Sequence, residues 1–268
     1  MKKLRAVLFF WIFFFPSGVF AGETPDLAGI SLEEARRIQE KTVKDLEKKM
    51  GSPVGYKAGL TNPGMQKRLG LSHPMRGTLL KKMLLPSGSA LPADFGIRPA
   101  CEGDLMVRVR DEGINEAATF QETLAALDAV MPFLEVPDLF YREGATLTAP
   151  MIAVINLGAR YGIAGEAIPM NPGKDWEERL RDMEVEVVNE KGEKMAQGKG
   201  SDLLGHPLNA VLWIRDSLKQ EGKRLKRGDL LSLGSLTPML PVKQGSFFRA
   251  VYKGLSPQGP VEVSVRFE

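Results

Sequence analysis

A single cysteine in 268 residues leaves no partner for an intrachain disulfide, so stability has to come from a packed core or from association. With no histidine in a recognisable partner motif, Cys101 reads as a small buried thiol and not as a nucleophile. Only two histidines occur, His73 and His206. Each adjoins a proline and they share no metal-ligand spacing, which excludes a histidine-built metal site; we read His206 as a helix-start or packing residue and His73 as a loop residue. Surplus charge is also missing. The net +3 of the whole chain comes from Lys2, Lys3 and Arg5, and residues 22–268 carry 33 basic and 33 acidic side chains. A nucleic-acid partner, which needs a concentrated basic surface, is therefore not expected. Long apolar runs are absent apart from one, Ala6 to Phe15, which lies between the basic residues and Val19-Phe20-Ala21. That order reads as a secretory signal peptide over residues 1–21, with a mature start at Gly22, a periplasmic destination and no stable membrane span after cleavage. Residues 22–268 show no low-complexity linker and are read as one domain.

Ser31-Leu32-Glu33-Glu34 is a capping box, and Leu32, Ala35, Ile38, Leu46 and Met50 recur at near-helical spacing, predicting a helix over 32–50. A strand over 55–58 comes next, then a helical turn around 63–69 capped by Thr61 or Asn62. Strict alternation begins at Glu102 and predicts a strand over 102–110. Residues 121–130 and 207–221 read as helices, 133–136 as extended, and 148–157, 182–189, 230–233, 247–252 and 261–267 as further strands. Short strands outnumber helices without alternating regularly with them, which points to an α+β fold: a mixed or antiparallel β-sandwich or β-roll core with peripheral helices. Trp176 and Trp213 read as packing residues. Gly198-Lys199-Gly200-Ser201 lacks the spacing of a phosphate loop and reads as a flexible turn.

Glu102 and Asp104 stand one residue apart on a strand, so both side chains leave the same face, roughly 6–7 Å apart at Cβ. Glu135 sits among Phe133, Leu134, Val136 and Pro137, surroundings that desolvate a carboxylate unless it is paired. Three carboxylates of this kind suit a hard cation, Mg²⁺ or Mn²⁺; the other reading of a Glu-x-Asp strand is a solvated face.

Beyond these residue types, Gly55-Tyr56-Lys57-Ala58-Gly59-Leu60-Thr61, with Met65-Gln66 and Leu69-Gly70 after it, resembles the GYKxGLT segment of the 2-keto-4-pentenoate hydratases and 4-oxalocrotonate decarboxylases, a branch of the fumarylacetoacetate hydrolase superfamily. Pro99 to Asp104 resembles their Glu-x-Glu segment, Met131 to Val136 their Pro-x-Leu-Glu segment, and Gly205-His206-Pro207, Gly228-Asp229 and Gly234-Ser235-Leu236-Thr237 their C-terminal signature, in the same order. The resemblance implies a fumarylacetoacetate hydrolase-like catalytic domain over 22–268, homo-oligomeric assembly, and one divalent metal held by Glu102, Asp104 and Glu135 that chelates the carboxylate and 2-oxo group of a small 2-oxo acid. It implies Lys57 as the catalytic acid or base, and Ser235 and Thr237 as substrate-binding hydroxyls. Two departures stand out. Asp104 replaces the usual Glu, and Met75-Arg76 stands where the family often has an acidic residue after the proline, so Arg76 points to a second negative group on the substrate, as in a dicarboxylate.

These residues lead to a lyase, a hydratase of 2-hydroxypenta-2,4-dienoate-like compounds, with a 4-oxalocrotonate-type decarboxylase or an acylpyruvate hydrolase as rivals. A hydrolase should show a His/Glu pair near the metal to activate water, and none is evident. The contrasting class is an exported, non-catalytic small-acid-binding protein that keeps the fold. It gains if Glu135 points away from Glu102 or if Lys57 is solvated.

Overall fold

The computed structural model describes residues 29–141, 144, 146–171 and 174–268; the segment read as a signal peptide lies outside them. In chain order the elements are α1 (Leu32–Met50), β1 (Pro53–Gly59), α2 (Pro63–Arg68), β2 (Met75–Leu80), β3 (Leu84–Pro86), β4 (Ser89–Leu91) and β5 (Ala100–Val109). Next come α3 (Phe120–Ala125), β6 (Leu127–Val136), α4 (Ala149–Val154), β7 (Tyr161–Ala164), β8 (Ile168–Pro169), α5 (Lys174–Asp182), β9 (Glu184–Val188) and β10 (Lys194–Lys199). The chain finishes with α6 (Pro207–Gln220), β11 (Leu230–Ser235), β12 (Leu240–Pro241), β13 (Phe247–Ser256) and β14 (Gly259–Phe267).

The larger sheet runs β2-β1-β11-β5-β6-β7-β3. Its two end strands, β2 and β3, are separated in sequence by the single turn Lys81–Met83, so the sheet must curl back on itself into a roll. Leu79, Met106, Met131 and Phe133 fill the inside of the roll. The outer faces of β5 and β6, through Leu105, Val107 and Leu134, pack against the smaller sheet β10-β9-β13-β14-β4 through Val185, Val187, Ala250 and Val263. Helix α6 adds Leu208, Val211, Ile214 and Leu218 to this core, and α1 packs on α4. The predicted mixed roll with peripheral helices is borne out. Among the described residues no helix is long and apolar enough to cross a membrane.

Helix α1 has the expected capping box, and Asn62, not Thr61, caps α2 with its side chain. Three expectations need correction. Residues 149–154 form a helix and not a strand, because Thr148 caps its N-terminus and Pro150 fits its first turn. The helix read over 121–130 stops at Ala125, and β6 begins at Leu127. Gly198 and Gly200 are no flexible turn. A Cβ on either would meet the backbone of Leu236 or Leu180 at 1.8 and 1.7 Å, so both are glycine for close packing. Trp176 is buried in the core and Trp213 packs against it, as expected. So is Cys101, a buried thiol that burial pushes well above its ordinary pKa.

Candidate active site

Strand alternation and register place the polar residues of the site. On β5, Glu102 and Asp104 leave the face opposite Gly103 and Leu105, and the antiparallel partner of Glu102 on β6 is Glu135. On β1, Lys57 pairs with Ser232 of β11, and Ser232 pairs with Met106 of β5, so Lys57 and Ser232 share the same inner wall. The roll thus carries three carboxylates and one ammonium at one end of an otherwise apolar interior. None of the four residues is more than 5% exposed.

Lys57 Nζ donates to Glu135 Oε1 and to the Leu157 carbonyl at 3.2 Å. Burial lowers its pKa to about 8, against the pull of Glu102 and Asp104. Glu102 is raised by burial, offset in part by the Ser235 hydroxyl. Asp104 is raised to about 7, again by burial, although Ser232 and the Leu105 amide favour its charged form. Its oxygens are engaged by Ser232 Oγ at 2.5 Å and by the amides of Gly234 at 2.9 Å and Leu105 at 2.5 Å. The Gly234 amide reaches it because the β11–β5 register breaks between Ser232 and Ser235, a bulge at the site. Gly234 has φ +111°, and a Cβ there would strike Thr61 at 2.7 Å.

Behind this wall, from the smaller sheet, the Tyr252 hydroxyl reaches the carbonyls of Asp104 at 2.5 Å and Phe133 at 2.7 Å, and accepts from the Phe133 amide at 3.3 Å. Asp104 and Phe133 are cross-strand partners, so one hydroxyl ties β5 to β6 beside all three carboxylates.

Several expected site residues take other places. Thr237 accepts from the Gly103 amide at 2.9 Å and donates to the Pro238 carbonyl at 3.3 Å; its hydroxyl braces the backbone of β5 and is not offered to a ligand. Arg76 pairs with Ala58, one residue beyond Lys57, and so projects from the other face of the sheet. There it bonds Glu221 at 2.6 Å and Ser217 at 3.1 Å and lies over Tyr56, lining an outer cavity of about 520 Å³ between α1 and α6. A second substrate carboxylate on the Lys57 side does not meet it. His206 caps α6 and His73 stacks with Trp213, so neither histidine joins the carboxylates.

The three carboxylates share a wall without closing a cage. Among the described residues no group of three His, Cys, Asp or Glu is gathered closely enough to hold a metal. Asp104 is engaged by protein donors, Ser232 and the amides of Gly234 and Leu105, and Glu135 by Lys57. The donor chemistry nonetheless fits a hard divalent cation, since three buried carboxylates face one ammonium and the imbalance matches a divalent charge. Sequence reasoning missed Ser232, Tyr252 and the Leu157 carbonyl; only the serine, alternating inward on β11, left a readable trace.

No family model matches the chain. It is 29% identical over 216 residues to a 2-keto-4-pentenoate hydratase of Burkholderia vietnamiensis, covering 79% of each chain. To a 4-oxalocrotonate decarboxylase of Pseudomonas putida it is 26% identical over 244 residues, 91% of this chain and 88% of the other. Among solved structures it is similar to 4-oxalocrotonate decarboxylase from Pseudomonas putida G7 complexed with magnesium and adipate, with a TM-score of 0.76 and 24% identity over 90% of this chain and 87% of that one. The resemblance read from the motifs is borne out, and with it the expectation of a lyase. That solved relative also carries the kind of divalent cation expected from the carboxylates.

Proposed function

We propose that this chain is a divalent-cation-dependent lyase of small 2-oxo acids, hydrating 2-hydroxypenta-2,4-dienoate-like compounds. The observation that carries the reading is the inner wall of Glu102, Asp104 and Glu135 beside a single buried ammonium, an arrangement too costly to leave uncompensated inside a fold. A hard divalent cation bound there supplies Lewis acidity that draws electron density from the 2-oxo group of a substrate. Glu102 and Glu135 would hold it, with Asp104 fixed behind them by Ser232 and Gly234. Lys57, its pKa lowered to about 8, holds or releases a proton at Nζ near neutral pH, the property a general acid or base needs. Ser235 lies at the edge of the wall, half-buried, with a hydroxyl that can turn from Glu102 to a substrate carboxylate. Met106, Met131 and Phe133 keep bulk water from the rear of the site.

The non-catalytic reading is disfavoured, because Glu135 faces Glu102 and Lys57 is buried. Met75 favours decarboxylation as the second lyase reading. It is buried on the Lys57 side of β2 against Leu157, and it supplies no group to activate a water, which hydration needs and decarboxylation does not. The absence of either histidine from the wall tells against the hydrolase. Export is part of the proposal, since Lys2 to Ala21 has the three parts of a signal peptide; the N-terminal mass of the secreted protein, expected to begin at Gly22, checks it.

The test is magnesium-dependent turnover of 2-hydroxypenta-2,4-dienoate and of 4-oxalocrotonate by the protein from Gly22, beside Glu102→Ala and Glu135→Ala. Turnover of either substrate that both variants lose supports the lyase and identifies its branch. No turnover, with thermal stability unmoved by Mg²⁺ or Mn²⁺, rejects it.

A further inference from the structure

Three consecutive residues next to the site, Asn156, Leu157 and Gly158, have φ of +53°, +57° and +68°. Two of them are not glycine, and a left-handed run of this kind is unfavourable for L-residues unless the surroundings impose it. Here a side chain imposes it. Asn156 is fully buried, and its amide bonds the backbone of Thr78 on β2 from both ends: Oδ1 accepts from the Thr78 amide at 2.8 Å and Nδ2 donates to the Thr78 carbonyl at 2.8 Å. Gln39 of α1 adds a bond to Oδ1 at 3.3 Å while holding the Arg76 carbonyl at 2.8 Å. The turn so fixed directs the carbonyl of Leu157 at Lys57 Nζ, 3.2 Å away. The fit continues along the lysine stem, since a Cβ at Gly77 would meet Lys57 Cγ at 2.9 Å and the Asn156 carbonyl at 3.0 Å.

We propose that Asn156 is a positioning residue for Lys57: by bonding the outer edge of the end strand β2 as a further strand would, it holds a left-handed turn whose Leu157 carbonyl sets where the ammonium points. The inference rests on the reading of Lys57 as the proton-handling group. It predicts that losing the Asn156 amide lets Lys57 leave the carboxylate wall while the wall itself stays intact.

Two measurements test it on the chain from Gly22. The first needs no activity. Acylation by acetic anhydride is read by peptide mass, with exposed Lys191 as internal reference. Asn156→Ala is expected to raise labelling of Lys57 at least tenfold relative to Lys191, and unchanged labelling in a folded variant overturns the proposal. Asn156→Asp keeps an acceptor for the Thr78 amide but loses the donor, so it should give an intermediate rise and serves if the alanine variant does not fold. The second is a double-mutant cycle in Mg²⁺ with the two lyase substrates. Asn156→Ala should lower kcat at least tenfold with KM nearly unchanged, and should have no further effect in a Lys57→Ala background. An equal loss in both backgrounds means that Asn156 is only structural and overturns the positioning role alone. A Lys57→Ala variant with full kcat overturns the role of Lys57, and the proposal with it, whatever the labelling shows.

Discussion

Replacing Tyr252 with Phe removes one oxygen from the seam between β5 and β6 and leaves the ring in place. The ring is fully buried, so apolar burial hardly changes and the cost falls on the hydrogen bonds. The hydroxyl has one proton, which serves the Asp104 or the Phe133 carbonyl, and it also accepts from the Phe133 amide. Removal therefore strands a buried N–H and weakens one carbonyl. At about 1–3 kcal/mol for an unsatisfied buried group and roughly 1 kcal/mol for a lost neutral bond, the expected loss is about 2–4 kcal/mol. For a domain of this size each kcal/mol moves the melting temperature by about 2–4 °C, so Tm should fall by roughly 5–15 °C. Urea unfolding should show a lower midpoint with an unchanged m-value, since no additional surface is exposed in either state. A Tm within about 1 °C of wild type would refute the bridge.

Three other outcomes are expected. His206 accepts from the Leu208 amide with Nδ1 and contacts the Glu177 carbonyl with Nε2, an arrangement for the neutral ring, and burial lowers its pKa below 6.5. The folded state then binds fewer protons than the unfolded one, so its contribution is complete above about pH 6.5 and is lost as pH falls through that value towards the folded pKa; His206→Asn should flatten the urea midpoint between pH 7 and 5. Gly162→Ala would drive a Cβ to 2.1 Å from the Phe133 ring, and overpacking of this kind should cost about 1–3 kcal/mol or more in equilibrium unfolding. Cys101, buried and with a raised pKa, should be unreactive towards a thiol reagent in the native protein and react fully in denaturant.

How far the sequence is legible depends on the range of each interaction. The capping box at Ser31 and the alternation from Glu102 are local, and both the helix and the strand appear where they are expected. The same alternation places Glu102 and Asp104 on one face. Residues 148–157 fail because an apolar run fits either periodicity, and the deciding signals, Thr148 and Pro150, are outweighed by β-branched and apolar content. Helix α5 goes unread although Asp175 and Glu177 lie in its first turn and Arg179 and Arg181 in its last. The site residues that sequence could not supply depend on strand order: Ser232 meets Asp104 across 128 positions and Tyr252 across 148. Arg76 shows the reverse error. Its charge is readable, but which face of β2 it leaves depends on pairing with β1.

The place of β11 between β1 and β5 bears on the order in which the walls of the site come together. Lys57 and the glutamate it contacts are 78 positions apart, yet the strand that holds their two walls together begins only at Leu230. Until that strand has docked, β1 has no parallel partner and the carboxylates have no Ser232 or Gly234 to hold Asp104. Closing so long a loop is slow compared with forming α1 or pairing β5 with β6. A chain in which β11 has not docked can therefore hold α1 and the paired β5 and β6 while the wall of Lys57 and the wall of the carboxylates are still apart.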